Sequence, residues 1–278
     1  MSTPTRPLLR YHGGKFLLAE WIISHFPEHR IYVEPFGGAG SVLLSKSRSC
    51  QDVYNDLDGE IVNLFRISRE HGAELAAALE LTPYSRDEFK LSYEPTDDAI
   101  ERARRTVIRS FMGHGSNSHH RVTGFRRHSR ASGTSPCTDW RNYPPAFVQI
   151  IERLQGVVIE NRDAFGLIAE QDSEQTLFYL DPPYVTSTRD KGSDYRFEMT
   201  DTQHRELAEL LKSLDGMVVL SGYRSTLYAE LYGDWPSIDR EARADGARKR
   251  VETLWVNPAC SAAMCAARAQ SGLVLEVA

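Results

Sequence analysis

The stretch YVEPFGGAGSV, residues 32–42, joins a short β-branched run to a glycine-rich turn and then to residues that can open a helix. Glu34 ends the apolar run, and the glycines that follow let a ligand approach the backbone closely. The carboxyl ends of parallel strands are where α/β sheets bind ligands. The spacing departs from the full GxGxxG dinucleotide fingerprint, so a tight turn without a ligand is the alternative interpretation.

Short apolar runs recur on both sides of this stretch, with amphipathic segments between several of them. We predict strands at residues 31–33, 52–54, 156–159, 177–180 and 217–220. We predict helices at residues 15–26, 57–69 and 202–214, the last one opened by Thr200 and Gln203 in capping-box spacing. Strands that alternate with helices indicate an α/β fold with a mostly parallel sheet covered on both faces.

The alternation breaks between about residues 70 and 150, which we interpret as an inserted domain. Ser85 and Glu88 have the spacing of a helix cap, and residues 97–111 read as a basic helix. Residues 122–125 are interpreted as the turn of a hairpin, and residues 129–145 as irregular. We therefore expect a catalytic domain formed by residues 1–69 and 151–278, interrupted by a mostly helical insertion at 70–150.

The charge of the insertion differs from that of the whole chain. The 278 residues have a formal net charge of −5, yet the segment 102–137 holds eight arginines and no Asp or Glu. A basic block on an acidic body indicates contact with nucleic acid. A solvated helix face followed by a mobile loop is the alternative.

Composition excludes several other classes of protein. The hydrophobic fraction of 41% suffices for a sizeable core. No apolar run approaches the roughly 18 residues of a membrane span, and the first residues do not form a signal peptide, so we expect an intracellular protein with no membrane contact. The four cysteines form no CxxC pair and are expected to be reduced thiols rather than ligands of a metal.

Two more motifs follow predicted strands. In YNDLD, residues 54–58, the carboxylate of Asp56 can accept hydrogen bonds from a ribose diol, although a helix cap is the alternative role. In FYLDPPY, residues 178–184, the side chain of Asp181 and the carbonyl of Pro182 can accept hydrogen bonds from the amino group of a flat heterocycle. Pro183 stiffens the loop, and Tyr184 offers a ring for stacking. A proline-rich turn after a buried strand is the alternative.

The motifs RYHGGK (10–15), VEPFGGAGSV (33–42), YNDLD (54–58) and DPPY (181–184) occur in this order. Together they resemble the DNA adenine-N6 methyltransferases of the Dam type, also called the D12 class, and the segments RSFMGHGSNSHHRVTGFR and VVLSGY resemble prophage-borne members. The resemblance implies a Rossmann-like sheet with an inserted target-recognition domain, S-adenosylmethionine as cofactor, double-stranded DNA as substrate, no metal, and a monomer. It also implies methyl transfer to N6 of an adenine flipped out of the duplex.

The resemblance also implies roles for individual residues. Asp181, Pro182, Pro183 and Tyr184 would hold the target amine. The residues expected at the cofactor are Tyr11, Gly14, Lys15, Glu34, Pro35, Phe36, Gly38, Gly40, Asp56, Asp163 and Asp181. Tyr11 stands where Dam proteins commonly have tryptophan, which keeps the aromatic character.

Amide and guanidinium groups can pair with purine edges, so candidates for DNA contact lie among such residues of the insertion. They are Arg109, Asn117, Arg121, Arg126, Arg127 and Arg130. The insertion does not closely match the GATC-reading segment of Dam, which leaves the recognised sequence open. Residues 220–223, which end a predicted strand at Tyr223, are a candidate wall of the target pocket, with an ordinary strand-to-turn junction as the alternative. Residues 240–250 are a candidate second hairpin that contacts phosphates, with a solvated edge loop as the alternative.

Two other functions remain open from the sequence. The four-residue motif also occurs in enzymes that methylate RNA adenine or a protein glutamine amide, although the arginine-rich insertion and the GGK block favour DNA. A DNA-binding regulator without catalytic activity is the second alternative, and the intact DPPY motif and glycine loop argue against it.

Overall fold

The computed structural model describes residues 4–115, 117–127, 134–189, 196–243 and 249–275. Within these ranges the strands are β1 Ile31–Glu34, β2 Gln51–Asn55, β3 Val157–Glu160, β4 Thr176–Leu180, β5 Met217–Gly222, β6 Ser237–Arg243 and β7 Lys249–Val256. The helices are α1 Ala19–Ile23, α2 Ser41–Ser45, α3 Gly59–Glu70, α4 Gly72–Leu81, α5 Arg86–Leu91, α6 Ala99–Met112, α7 Pro136–Arg141, α8 Tyr143–Leu154, α9 Ala164–Glu170, α10 Asp201–Lys212, α11 Thr226–Tyr232 and α12 Pro258–Leu275. A short 3₁₀ turn covers Thr186–Thr188.

The strands form one sheet in the order β3-β2-β1-β4-β5-β7-β6. The first five are parallel, and β7 pairs antiparallel with both β5 and β6. From β1 the chain builds the sheet outward through β2 and β3, then returns to place β4 on the other side of β1. This reversal is a topological switch point, where open α/β sheets form a ligand-binding crevice. The predicted Rossmann-like α/β fold is confirmed.

The sheet is buried on both faces. Successive side chains of a strand point to opposite faces, so each central strand contributes to the core on both sides. In β4, Leu177 and Tyr179 join the core cluster on one face, whereas Phe178 and Leu180 join the cluster on the other. All four are at most 1% exposed. This two-sided burial explains why the strands read as continuous apolar runs in the sequence.

Helix packing joins the region 70–150 to the sheet domain. Helix α6 packs against α3, and α8 packs against both α3 and α4. The cluster that contains Leu177 and Tyr179 continues through α3 into α4, α6 and α8 without a break. The described helices of the insertion therefore share a hydrophobic core with the catalytic half.

The predicted helix over residues 15–26 is wrong in its first part, because α1 begins at Ala19. Residues before it turn back on themselves, and Lys15 donates a hydrogen bond from Nζ to the carbonyl of Gly13 at 2.8 Å. The residue preceding the helix, Leu18, makes no side-chain cap. The amphipathic pattern thus reports which side chains are buried here, whereas the backbone forms turns at residues 16–18 before the helix begins.

The prediction of irregular structure over 129–145 is wrong for its second half, while residues 129–133 lie outside the described ranges. Ser135 accepts a hydrogen bond from the amide of Thr138 and caps α7, whose first residue is Pro136. Pro144 lies in the first turn of α8. Proline is tolerated in a first helical turn because the amide it lacks has no partner there, so these residues begin helices instead of breaking them.

The prediction that residues 122–125 form the turn of a hairpin is wrong. These residues follow the loop and form the arm that pairs back with the end of α6. Gly113 pairs with Phe125 in an antiparallel bridge, and the amide of His114 donates to the carbonyl of Gly124 at 2.9 Å. The intervening loop spans about ten residues, of which Ser116 lies outside the described ranges. The caps predicted at Ser85 and Thr200 are confirmed, the latter as a complete capping box.

None of the described helices is both long and apolar enough to cross a membrane.

Candidate active site

A cleft opens at the switch point between β1 and β4, where Glu34 ends one strand and Asp181 follows the other. Its walls come from segments far apart in sequence, which meet because the carboxyl ends of parallel strands lie at one edge of the sheet. The lining comprises residues 11–15, 34–39, 41–42, 56–58, 163–165 and 196–199, with Tyr179, Asp181, Pro183 and Gln203.

In the glycine-rich turn after β1, aromatic rings lie so close to the backbone that a side chain on two of the glycines would clash with them. Gly38 has a φ of +48°, and a Cβ there would lie 2.8 Å from the ring of Tyr11. A Cβ on Gly37 would lie 2.1 Å from the ring of Tyr54. Gly40, also predicted at the cofactor, is not among the lining residues; it precedes α2 with a φ of +60° and faces Phe65. Its positive φ belongs to the turn itself, and its contact with the cofactor stays a prediction.

Ser41 opens α2 and faces the cleft with an unsatisfied polar atom. Its side chain is buried, and its hydroxyl oxygen has no hydrogen-bond partner among the described residues. Buried hydroxyls are normally paired, so an exception in a cleft calls for a ligand or a water.

Glu34 lies at the floor of the cleft and is 2% exposed. Its Oε2 accepts hydrogen bonds from the hydroxyl of Tyr32 at 2.8 Å and from the amide of Leu43 at 2.9 Å. Burial raises the pKa of this carboxyl to about 8, although both hydrogen bonds oppose the shift.

Asp56 is placed on the cleft wall by the end of β2. One carboxylate oxygen accepts the amide of Gly38 at 2.7 Å, and the other accepts the amide of Asp58 at 2.7 Å. Burial raises the pKa of Asp56 to about 6. A carboxylate has about four acceptor positions, so two hydrogen bonds leave capacity for a ligand.

Asn55, which sequence reasoning missed, ties three strand ends together. Its fully buried amide donates to the carbonyl of Pro35 at 2.8 Å and to that of Arg162 at 3.0 Å, and it accepts the amide of Arg162 at 3.0 Å. It therefore fixes the loop after β1 to the loop after β3, which carries Asp163. Asp163 lines the cleft and also caps α9.

The DPPY segment forms the end of the cleft nearest β5. Asp181 is 2.8 Å from Nζ of Lys15 and accepts a hydrogen bond from the Ser221 hydroxyl at 2.9 Å. Pro183 lines the cleft, while Pro182 is buried beside it. The carboxylate predicted to hold an amine is therefore fixed from two sides.

Aromatic rings surround the lysine. Tyr184 is buried, with its ring centre 4.8 Å from Nζ of Lys15, and its hydroxyl donates to Glu252 on β7. Tyr223 meets the Tyr184 ring edge to face at 4.7 Å. Burial raises the pKa of the Tyr184 hydroxyl well above its ordinary value, so it stays a donor. Sequence reasoning missed Glu252, because only the pairing of β7 with β5 brings this residue close to Tyr184.

A segment after DPPY crosses the cleft and was also missed. Arg196 forms an ion pair with Asp58 at 3.0 Å, and Glu198 pairs with Arg189. Phe197 lines the cleft and is 45% exposed. This segment has no periodic pattern in the sequence, and its position after the DPPY motif is the signal that could have indicated it.

Most arginines of the basic block that the structure describes are paired with acids from outside it. Arg102 contacts Glu60, Arg105 contacts Glu101, and Arg104 contacts both Glu101 and Glu88. The block therefore does not form a continuous positive face, because these acidic partners neutralise much of it.

The predicted DNA-contacting residues differ in exposure. Arg109 is 12% exposed and donates to the carbonyls of His119 and Ser92, and Arg126 pairs with Asp139 at 3.3 Å. Because of these contacts, Arg109 and Arg126 are better placed to support the loop that follows α6 than to contact DNA.

The remaining candidates lie in or after that loop. Arg121 and Arg127 are exposed, and Asn117 is half-buried. Arg130 lies outside the described ranges.

The same loop reaches the cleft. The ring of His119 stacks on Tyr11 at 4.7 Å, and Tyr11 covers Gly38. The predicted hairpin of residues 240–250 is formed by β6 and β7, where Arg250 lies over the Tyr223 ring at 5.5 Å. Residues 244–248 lie outside the described ranges.

No group of three or more His, Cys, Asp or Glu side chains is placed to hold a metal within the described parts of the chain. All four cysteines are free thiols.

Comparison with known proteins identifies the family of the chain. The chain is 27% identical to the DNA adenine methylase of Escherichia coli strain K12 over 248 residues, which cover 82% of this chain and 84% of that protein. It is 39% identical to a DNA adenine methylase of Vibrio cholerae over 194 residues, 65% of each chain. It is 25% identical to a type II methyltransferase of Lactococcus lactis subsp. cremoris over 272 residues, 87% of this chain and 90% of that one. Residues 11–245 match the family model of the D12 class N6 adenine-specific DNA methyltransferases, and the chain belongs to that family.

Proposed function

We propose that this D12-class enzyme uses S-adenosylmethionine to methylate N6 of an adenine flipped out of duplex DNA. The observation that carries the proposal is the position of Asp181. Its carboxylate lines the cleft and is held by Lys15 and Ser221, and Nζ of the same lysine lies 4.8 Å from the centre of the Tyr184 ring. A fixed acceptor in the wall of a ligand cleft, close to aromatic side chains, suits transfer from a bound donor to the amino group of a base.

The residues of the cleft fit the donor. The backbone at Gly38 leaves room that a side chain would fill, and the Ser41 hydroxyl is buried without a partner among the described residues. We assign the ribose hydroxyls to Asp56, which retains free acceptor positions, and the adenine ring to the wall formed by Asp163 and Phe165. When bound, S-adenosylmethionine supplies an electrophilic methyl group on a sulfonium.

We assign the other predicted cofactor residues to the methionine end of the cleft. Tyr11 and Lys15 would flank it, Gly14 would let the chain turn between them, and the loop after β1 would cover it. That loop carries Glu34, Pro35 and Phe36, all of which line the cleft.

The chain's contribution to the chemistry is to prepare the amine. The N6 lone pair is delocalised into the adenine ring, which makes the nitrogen a poor nucleophile. Hydrogen bonds from N6 to the carboxylate of Asp181 and the carbonyl of Pro182 would localise the lone pair and stabilise the cationic product until it loses a proton. Tyr184 and Tyr223 would receive the flipped base by stacking and edge contact.

We retain residues 70–150 as the target-recognition insertion. Arg121 and Arg127, both exposed, are our candidates for direct DNA contact, with Asn117 and Arg130. Arg109 and Arg126 are better suited to holding the loop, because carbonyl oxygens and Asp139 engage their guanidinium groups. Arg250, on β7, is a further candidate for a phosphate contact.

Expression in a methylation-free host, followed by long-read sequencing of the host DNA, tests the proposal. We expect N6-methyladenine in one sequence motif with the wild type and none with Asp181→Asn. Glu230→Asn serves as a matched control, since Glu230 is exposed and pairs with Arg205 away from the cleft. The absence of methyladenine with folded wild-type protein would refute the proposal. Assays of purified protein with labelled donor on RNA and on a glutamine peptide would then test the other substrates.

A further inference from the structure

Glu252 lies on the face of β7 that becomes part of the hydrophobic core further along the strand. Leu254 and Val256, two and four residues further on, point to the same face and belong to the core cluster there. Glu252 is 3% exposed, and burial raises the pKa of its carboxyl. Burying a carboxyl costs stability unless partners compensate, and departures from the apolar pattern concentrate at functional sites.

Glu252 contacts Tyr184 of the DPPY segment and Lys15, which is also a partner of Asp181. The hydroxyl of Tyr184 donates a hydrogen bond to Oε1 of Glu252, and Nζ of Lys15 lies 3.8 Å from the same oxygen. Lys15 offsets part of the cost of burying the carboxyl, while its closer partner is Asp181 at 2.8 Å. Neither Glu252 nor Tyr184 is among the residues that line the cleft, and Glu252 reaches the DPPY segment from β7 through the Tyr184 hydroxyl.

The hydrogen bond constrains the ring of Tyr184. A tyrosine ring held only by packing can still tilt, whereas a second fixed point at its hydroxyl sets the direction of the ring axis. Tyr223 contacts the ring edge to face, which leaves the hydroxyl contact to fix the far end. A small displacement of a stacked base moves its amino group relative to Asp181, and misplacement by about 1 Å can cost about 100-fold in rate.

We propose that Glu252 is a positioning residue for methyl transfer, and that it acts by accepting the hydroxyl of Tyr184 and so fixing the ring against which the target base stacks. The inference rests on the proposed function, since it assumes that Tyr184 receives the base. Glu252 itself touches neither base nor donor in this role.

Four variants test the inference in steady-state assays on unmethylated plasmid DNA. We expect Glu252→Leu, which keeps an apolar side chain on the core face, to lower kcat at least about tenfold while KM for the donor changes less than about twofold. Tyr184→Phe removes the same hydrogen bond from the other side and should lower kcat similarly. The double variant should be no slower than the slower single variant, because both changes remove one contact. Glu252→Gln retains an acceptor and should restore kcat to within about threefold of the wild type.

Glu230→Leu is the matched control and should leave kcat unchanged, and thermal melts show whether each variant is folded. A wild-type kcat in Glu252→Leu would overturn the inference, as would rate losses that multiply in the double variant. If Glu252→Leu fails to fold, Tyr184→Phe and Glu252→Gln still decide it, since a wild-type kcat in Tyr184→Phe would contradict the role. A wild type that methylates no adenine would instead refute the proposed function.

Discussion

The Ser41 hydroxyl is buried in the cleft wall without a partner among the described residues. We expect Ser41→Ala to raise the thermal midpoint of the ligand-free protein, because an unsatisfied buried hydroxyl costs about 1–3 kcal/mol. The same change should weaken S-adenosylmethionine binding threefold to tenfold, since a typical hydrogen bond contributes about 1 kcal/mol. Thermal melts and isothermal titration calorimetry measure the two effects.

Ser45 provides the control for that prediction. Its hydroxyl donates to the carbonyl of Ser41 at 2.7 Å within the same short helix, and it is not a lining residue of the cleft. Ser45→Ala should therefore leave the affinity for the donor unchanged. If Ser41→Ala lowered stability and left affinity intact, the hydroxyl would have a structural partner rather than a ligand.

Glu34 makes stability depend on pH. Its folded-state pKa is raised from 4.5 to about 8 by burial, so the folded protein holds this proton more tightly than the unfolded chain. The contribution of Glu34 is therefore fully present below about pH 4.5 and is lost as the pH rises towards 8, at up to about 1.4 kcal/mol per pH unit. Glu34→Gln keeps an acceptor for Tyr32 and Leu43 but has no proton to lose.

Urea unfolding at pH 6, 7 and 8 tests this prediction. The free energy of unfolding of Glu34→Gln, relative to the wild type, should rise across this range. Taking the difference cancels groups common to both proteins, including Asp56, whose raised pKa of about 6 acts mainly at lower pH. A difference that is flat or falls with pH would mean that Glu34 is ionised in the folded state.

At the scale of elements, α6 and the loop after it divide their arginines between two roles. Arg104 is 13% exposed and joins α6 to α5 through Glu88 and to α4 through Thr82. We expect Arg104→Ala to lower the free energy of unfolding by about 1–3 kcal/mol, since it removes hydrogen bonds between charged groups. Arg127→Ala should change stability by less than about 0.5 kcal/mol and weaken DNA binding, reducing the salt slope by about one.

Chemical unfolding and DNA titrations at several salt concentrations separate the two effects. Arg121→Ala changes a second exposed arginine and should also weaken DNA binding and reduce the salt slope. A salt slope that falls with Arg104→Ala but not with either loop variant would reverse the assignment and restore α6 as the DNA-contacting face.

The observed strands and helices also show which features could be predicted from the sequence and which could not. The parallel strands were predictable because burial on both faces makes them continuous apolar runs, and Glu34, Asp56 and Asp181 were predictable because each follows such a run. The start of α7 was missed because residues 129–145 show little helical periodicity and were therefore predicted to be irregular. The pairing of the arginines was missed because local charge counts ignore acids such as Glu60, which tertiary packing supplies.

The whole molecule brings together residues that no local pattern connects. Lys15 meets Asp181 because β4 returns to lie beside β1, and Glu252 reaches both because β7 inserts antiparallel between β5 and β6. Asn55 joins loops more than one hundred residues apart through one amide. Sequence motifs indicate the strand ends that form the site, whereas the strand order decides which ends become neighbours.

The hydrophobic core that α3 shares with α4, α6 and α8 predicts how the protein unfolds. Although the sequence predicts an inserted domain at residues 70–150, α4, α6 and α8 share one core with α3, so separating them would expose the buried faces of both parts. We expect a single cooperative thermal transition of the full chain, with equal calorimetric and van't Hoff enthalpies. A fragment of residues 70–154 should show no cooperative melt by circular dichroism, because it lacks the α3 side chains Leu64 and Phe65, both fully buried in that core. Two transitions in the full chain, or a folded fragment, would show that the insertion is an independent domain and that the contacts with α3 are a docking interface.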